Sequence, residues 1–327
     1  MITQARLDRL SLSPRPLGQR LVASLLLAPN YELWPHRTRI RLEGEEHLPR
    51  GGRGAVLVMN HTDRYNYWPL QYQLWRRGLG FTATWVKGKY YENAALGWFM
   101  DWTNNIPIPS RGYLATKDFQ QHLGRLPSDA EYQVLKRLEG GAIDEQEARA
   151  AGGEAVARLL GQPWPDGDGR WRDSLARRFA AMMARVVAIN REALDRGLHL
   201  LIFPEGTRSR RLGSGHTGAA QIILSTGAAV VPIGCNGSDR CYPGSSPWSR
   251  GGDILYRIGA PLLPEGELAP FRIAEPFAPY SAEADRHQPT FRALTDLLMD
   301  RIEALLDPAY RRAGGAEAAT TGARRFV

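Results

Sequence analysis

Two stretches of this chain bring polar, reactive side chains to the ends of apolar runs. One is LLIFPEGTRSR, residues 200–210, where branched and aromatic residues stop at Phe203 and turn at once through Pro204 and Gly206 into hydroxyl and guanidinium groups. A buried strand reads this way when it delivers side chains to the rim of a sheet. The other is AVLVM, residues 55–59, which stops on Asn60-His61-Thr62-Asp63. A helix-capping cluster followed by Trp68, Leu70, Tyr72 and Leu74 in a helix places His61 at the C-terminal end of that strand, where open α/β sheets hold their sites. The charge balance says what such a rim would meet. Forty-two Lys and Arg against 34 Asp and Glu give +8, with a pI near 9.7, which favours phosphates, nucleic acid or an acidic membrane surface. Nucleic acid is the weakest of these, because the chain has no RNA- or DNA-binding signature and no zinc-finger spacing.

The remainder must supply the frame. A chain of 327 residues allows one large or two medium domains, and 43% hydrophobic with 9% aromatic residues is a globular composition. Cys235 and Cys241 are too few for a disulfide framework and lack CxxC spacing, so they read as free thiols in a reducing compartment. No secretory signal is visible, and no stretch reaches the ~18 uninterrupted apolar residues of a membrane span. Residues 1–38 interleave Arg6, Arg9, Arg15 and Arg20 with Leu7, Leu10, Leu17, Leu21, Leu25, Leu26 and Leu27, and close on Trp34. That pattern suits a helix lying on an anionic membrane surface and equally one packed on the protein's own core.

From residue 39 onward strands and helices alternate. Residues 39–42 read as an edge strand, 55–59 and 81–86 as further strands, and 105–111 (NIPIPSR) as a short rigid run ending in a guanidinium. A helical insertion fills about 112–197, broken by the loop 163–169. Its last helix is capped by Asp173 or Ser174, carries Leu175, Phe179, Met182, Val186 and Ile189 on one face, and stops at Gly197. A short helix at 222–224, strands at 229–233 and 253–258, and a helix through Phe291, Leu294, Leu298, Ile302 and Leu305 follow, with a frayed tail at 313–327. Asp166 and Asp168 lack the full calcium-loop pattern and read as a turn. The expectation is an α/β protein: a single domain, 39–312, with a mostly parallel, partly mixed sheet flanked by helices, preceded by the N-terminal helical element 1–38.

Taken in order, four blocks resemble the glycerolipid acyltransferase family typified by 1-acylglycerol-3-phosphate acyltransferase. They are Asn60-His61 with its loop, Ile106-Pro107-Ile108 leading to Arg111, Phe203-Pro204-Glu205-Gly206-Thr207-Arg208, and Val230-Val231-Pro232-Ile233, across roughly residues 39–260. The resemblance implies transfer of an acyl chain from acyl-CoA or acyl carrier protein to a lysophospholipid or glycerol-phosphate hydroxyl. It implies His61 as general base, Arg111, Arg208 and the Gly206-Thr207 turn toward an acceptor phosphate, and Glu205 toward a glycerol hydroxyl or nearby backbone. Lys87 stands where the family has a lysine after a strand, suited to a thioester oxyanion or to plain exposure. No metal or cofactor is implied, since the thioester co-substrate is already activated. The expected setting is peripheral, on the cytoplasmic face of a membrane.

One position departs from the pattern. The family has an aspartate after its histidine with four residues intervening, and here that position is Asn66. An amide can hold one ring nitrogen but carries no charge, and replacing a triad carboxylate by an amide can cost on the order of 10⁴ in rate when the wrong tautomer results. Asn66 in the positioning role, Asp63 in its place, and a non-catalytic lipid-binding relative on the same fold all stay open. The string GSGHTG at 213–218 also matches the dinucleotide-binding GxGxxG, with Asp239 about twenty residues on, but it starts too far beyond the preceding strand. No GxSxG elbow marks a serine hydrolase.

Overall fold

The computed structural model describes residues 1–33, 37–165 and 169–312. Trp34, Asp166, Asp168 and the expected tail lie outside the described residues. Among those described, seven strands form one sheet: β1 (Thr38–Glu43), β2 (Val56–Met59), β3 (Thr82–Lys87), β4 (Asn105–Ile108), β5 (His199–Ile202), β6 (Val230–Asn236) and β7 (Gly252–Ile258). Their order is β1-β7-β6-β2-β5-β3-β4, and every neighbouring pair is parallel except β6 with β7. The mostly parallel, partly mixed α/β sheet is therefore found. Every residue of β2 and β5 is buried, which explains why both read as continuous apolar runs with no alternation.

These two strands are direct neighbours, with Leu57 beside Leu201 and Val58 beside Ile202. The loops that follow them, with His61 on one and Phe203 to Arg208 on the other, leave the sheet side by side. Beyond β5 comes β3, ending at Lys87, and then β4 at the edge. The run at 105–108 is thus a strand and not only a rigid segment. Pro107 has no N–H to give a second neighbour, and the edge position asks for none.

Helices cover both faces: α1 (Gln4–Arg9), α2 (Leu17–Leu21), α3 (Ala28–Glu32), α4 (Trp68–Arg76), α5 (Ala94–Trp102), α6 (Arg111–Leu123), α7 (Asp129–Glu139), α8 (Glu145–Leu160), α9 (Trp171–Asp195) and α10 (Gly218–Thr226), with a π-helical turn Val22–Leu27 and a C-terminal helix Gln288–Ala304. The insertion helices α6 to α9, α10 and the C-terminal helix build one core with Val56 and Val58; α4 and the α2–α3 segment build the other with Leu57 and Met59. The α9 helix starts earlier than its capping residues suggested. Trp171 is fully buried and donates its Nε1–H to Asp118 Oδ2 at 2.9 Å, which fixes the first turn ahead of Asp173.

The N-terminal element is a strap around the β4 edge. Leu7 and Leu10 are buried beside α9, where Arg185 donates from Nε to the Leu7 carbonyl at 3.2 Å. Ser13 and Asn104 exchange hydrogen bonds of 3.0 and 2.8 Å. The chain then crosses to the other face, where Gln19 Nε2 donates to the Thr82 and Thr103 carbonyls, both at 2.7 Å, and Leu27 and Tyr31 enter the second core. The leucines divide into two sets: Leu7, Leu10 and Leu27 are buried in the protein's own cores, while Leu17, Leu21 and Leu25 are exposed.

The GxGxxG string is a packing feature. Ten residues, 203–212, separate β5 from Gly213, so there is no tight strand-to-helix turn for a pyrophosphate. At Gly215 a Cβ would come within 2.7 Å of Thr295 on the C-terminal helix, so the residue there must be small.

Candidate active site

His61 follows β2 directly, and its ring lies over Phe203 at the end of β5, with centroids 4.1 Å apart and planes 22° from parallel. Its orientation is fixed by a short relay. Asn66, fully buried, donates from Nδ2 to the Asn60 carbonyl at 2.8 Å, which leaves its Oδ1 as the acceptor facing His61 Nδ1 at 3.1 Å. Nδ1 therefore carries the ring proton, and Nε2 is the basic nitrogen. Asn60 is itself held by β6, accepting from the Cys235 N–H at 2.7 Å and donating to its carbonyl at 3.0 Å. Tyr256 on β7 donates to the Asn66 carbonyl at 2.5 Å.

Asp63 points elsewhere. It accepts from the Tyr65 N–H at 2.8 Å and the Thr62 hydroxyl at 2.9 Å, and burial raises its carboxyl above the ordinary range against the pull of Ser238 and these donors. The residue at the family's spacing is the one that holds the imidazole.

Glu205, also buried, joins the two loops. One carboxylate oxygen accepts the His61 backbone N–H at 2.9 Å and the other accepts the Gly213 N–H at 2.9 Å, while Ser209 N–H returns a bond to the His61 carbonyl at 2.9 Å. Gly206 makes the turn at φ +62°, and a Cβ on it would sit 2.9 Å from the His216 ring. Beyond it Thr207 and Arg208 are exposed at the rim, with the Thr207 hydroxyl 3.4 Å from the Glu205 carbonyl.

Burial pushes the His61 imidazole down to about 3; the Asn66 hydrogen bond opposes this, and the charges of Arg208 and Lys87 add to it. Burial thus favours the neutral form of the ring. Lys87 is thus electrostatically coupled to His61, although its own side chain is exposed. Two cations that the motifs did not single out complete the rim. Lys89 is held below the usual lysine range by burial and then by repulsion from Arg208 and Arg64. No carboxylate among the described residues forms an ion pair with Arg64, Lys89 or Arg208, and the buried Arg64 Nε has no hydrogen-bond partner there. A lysine repelled by two guanidiniums, with no carboxylate ion-paired to any of the three among the described residues, is an arrangement that suits an anion. A cation within a few residues of a strand's C-terminal end is the signal that would have found Lys89 and Arg64.

Arg111, expected with them, is not brought there. It follows β4, three strand spacings from β2, or about 14 Å along the sheet. Its guanidinium is paired with Glu139 of α7 at 2.8 Å and lies over the Phe179 ring of α9 at 4.8 Å, so it braces the insertion helices.

With this geometry in hand, comparison with known proteins falls on the second motif loop. The family model described as Acyltransferase matches residues 173–236, which hold β5, the PEGTR turn and β6. Residues 173–236 are thus similar to the acyltransferase family. Among curated relatives, 1-acyl-sn-glycerol-3-phosphate acyltransferase LPAT1, chloroplastic, of Arabidopsis thaliana is 40% identical over 74 residues, covering 22% of this chain and 21% of that protein. The corresponding BAT2 protein of Brassica napus is 39% identical over 74 residues, covering 22% of each. These matches span about a fifth of each relative's length. A crystal structure of the 1-acyl-sn-glycerophosphate (LPA) acyltransferase PlsC from Thermotoga maritima aligns over 91% of this chain and 78% of that one at 15% identity, with a TM-score of 0.39, too low a likeness to argue from. His61, Asn66, Lys87 and Arg111 lie outside the matched family segment.

Proposed function

We propose that the protein transfers an acyl chain from a thioester to a free hydroxyl of a lysophosphatidate-type acceptor, with His61 as general base. The observation that carries this reading is an imidazole with Nδ1 held by Asn66 and Nε2 left basic, next to the uncompensated cations Arg64, Lys89 and Arg208. The acceptor phosphate would sit among the cations and its hydroxyl at Nε2. Nε2 takes the hydroxyl proton as the oxygen attacks the thioester carbon; the tetrahedral oxyanion collapses, the C–S bond breaks, and the thiolate leaves with the proton from the imidazolium. Lys87, whose charge acts on His61, would favour the oxyanion. The curated relatives named above act, by their names, on 1-acyl-sn-glycerol-3-phosphate, and this supports that acceptor class.

The direct test supplies the purified protein with an acyl thioester and 1-acylglycerol-3-phosphate and measures phosphatidic acid formed. Lipid binding without turnover is the second reading, favoured by the uncharged Asn66; it predicts no product with any thioester while lysophosphatidate still binds. For the phosphate site, Arg208→Ala should raise the acceptor KM by about 10- to 100-fold, the equivalent of ~1.5–3 kcal/mol for a hydrogen bond to a charged group, and leave a phosphate-free monoacylglycerol unaffected. Arg111→Ala should not reproduce that split; an equal acceptor-specific effect would return Arg111 to the phosphate.

A membrane surface is the proposed place of work. No helix of the described residues is long and apolar enough to cross a membrane. Leu17, Leu21 and Leu25 stand four apart on one side of the strap, and Leu25 is 71% exposed. Gly18 packs against Trp102, Trp102 stacks on Trp98 at 5.3 Å, and Trp98 is 61% exposed, so the strap that carries the leucines runs beside a second exposed apolar side chain. Leu17→Ser, Leu25→Ser and Trp98→Ser together should weaken binding to phosphatidylglycerol vesicles about tenfold or more, with an unchanged circular dichroism spectrum. Removing residues 1–33 would be a poor test, because it also strips buried Leu7, Leu10, Leu27 and Tyr31 from the cores. Undiminished vesicle binding by the triple variant would refute the patch.

A further inference from the structure

The β1 edge of the sheet, away from β4, carries a second concentration of positive charge. Between β1, the residue leading into it and the C-terminal half of α4 lies an open cleft of about 550 Å³, a volume within the range of small-molecule sites. Five guanidiniums line it, from Arg37, Arg39, Arg41, Arg76 and Arg77, against the carboxylate of Glu32. Arg76 is paired with Glu32, and Arg77 with Glu45. The side chains of Arg37, Arg39 and Arg41 have no hydrogen-bond or ion-pair partner among the described residues, and all three are exposed. Many other arginines of the chain are matched with an acid, as Arg178 is with Asp118 and Arg257 with Glu43 and Asp307. Residues two apart in a strand share a side, about 7 Å from one to the next. Such a row suits several phosphate groups better than one.

The strand register sets the cleft at the height of the active site. Glu43 pairs with Arg257, Arg257 with Gly234, and Ile233 with Met59, so the last residue of β1 is level with Asn60 and the rest of β1 projects past the rim that holds His61. Three strand spacings, about 14 Å, separate β1 from β2 along the sheet. A molecule with its thioester at His61 and its phosphates joined through a long flexible arm can reach across that interval. The apolar patch of the strap lies toward the other edge, next to β4, which leaves the β1 edge to a water-borne reactant.

We propose that the arginine row Arg37, Arg39 and Arg41 binds the phosphate-rich nucleotide end of the donor, a coenzyme A thioester, so that the lipid acceptor and soluble donor approach from opposite edges of the sheet. This assignment rests on the acyl-transfer reading. Titration calorimetry of the full chain with coenzyme A, with pantetheine and with phosphatidylglycerol vesicles tests it. Arg39→Gln with Arg41→Gln should raise the coenzyme A Kd about tenfold or more, leave pantetheine and vesicle binding unchanged, and raise the KM for acyl-CoA without lowering kcat. His61→Ala should bind coenzyme A as the wild type does. Equal coenzyme A affinity in wild type and double variant overturns the proposal, and so does a double variant that loses vesicle binding instead, which would give the row to lipid headgroups. A wild type that binds coenzyme A through these arginines but turns over no thioester leaves the cleft standing and removes the reaction; turnover of acyl-CoA with no response to the double substitution does the reverse.

Discussion

His61→Ala should reduce acyl transfer by about 10²- to 10⁴-fold, the usual contribution of a positioned general base. The loss should fall on kcat, since the ring meets the reacting hydroxyl and the acceptor phosphate is assigned to other groups. The fold should persist: the bonds from Glu205 and Ser209 run to the His61 backbone, and what is removed is one partly exposed ring stacked on Phe203. A thermal melt alongside the rate measurement separates the two effects. The pH profile carries a second signature. With the imidazole pushed down to about 3 by burial, the base stays unprotonated as pH falls, so kcat/KM should remain flat from pH 7 to about 5 instead of declining below 6.5. Binding of an anionic acceptor offsets the charges of Arg208 and Lys87, so the acid limb of kcat should lie at higher pH than that of kcat/KM. A His61→Ala variant with wild-type turnover would end the base assignment.

Asn66→Ala should lower kcat by about 10²- to 10⁴-fold with little change in acceptor KM, because it frees the ring to flip and to take the wrong tautomer. Asn66→Asp is the more informative change. A carboxylate keeps an acceptor opposite Nδ1 and favours the imidazolium, so turnover should be retained and the acid limb should move up toward the ordinary histidine range. It also places an oxygen against the Asn60 carbonyl, where the amide now donates at 2.8 Å, and this should cost about 1–3 kcal/mol of stability. The amide thus has a local reason: its surroundings offer one donor and one acceptor, which a carboxylate cannot match. Asp63→Asn should leave kcat nearly unchanged, as its carboxylate serves Thr62 and Tyr65. The reverse pattern, with Asn66→Ala silent and Asp63→Asn dead, would mean that the loop rearranges on binding.

The central strands were legible in the sequence because burial on both faces forces an unbroken apolar run, as in AVLVM and LLIF. The β4 strand was not, because Asn105 and Pro107 in a four-residue run erase both the apolar run and the alternation. Spacing alone singled out Asn66 beside His61, but which of Asn66 and Asp63 faces the ring depends on a turn, and the turn is set by the distant Tyr256, Cys235 and Ser238. Arg111 was placed at the phosphate because its block ends in a guanidinium; its partner Glu139 is 28 residues away on another helix, and no local pattern announces that pair. Arg64 and Lys89 carry no local signal for the converse reason. A positive charge in a sequence has no address until the strands are ordered.

The strap also bears on how the chain comes together. Its anchors are Arg185 and Arg196, whose bonds to the Leu7 and Leu12 carbonyls close loops of 178 and 184 residues. Closing such loops is entropically costly and slow compared with pairing nearby segments. The strap precedes α9 in the chain and has no seat there until α9 has been made, so Leu7 and Leu10 stay uncovered through the intervening synthesis. A nascent chain that meets a bilayer during that interval can commit all of its leucines to lipid, including those the finished protein needs inside. If the proposed membrane contact is made, folding ahead of it is what would separate the leucines of a foot from those of the core.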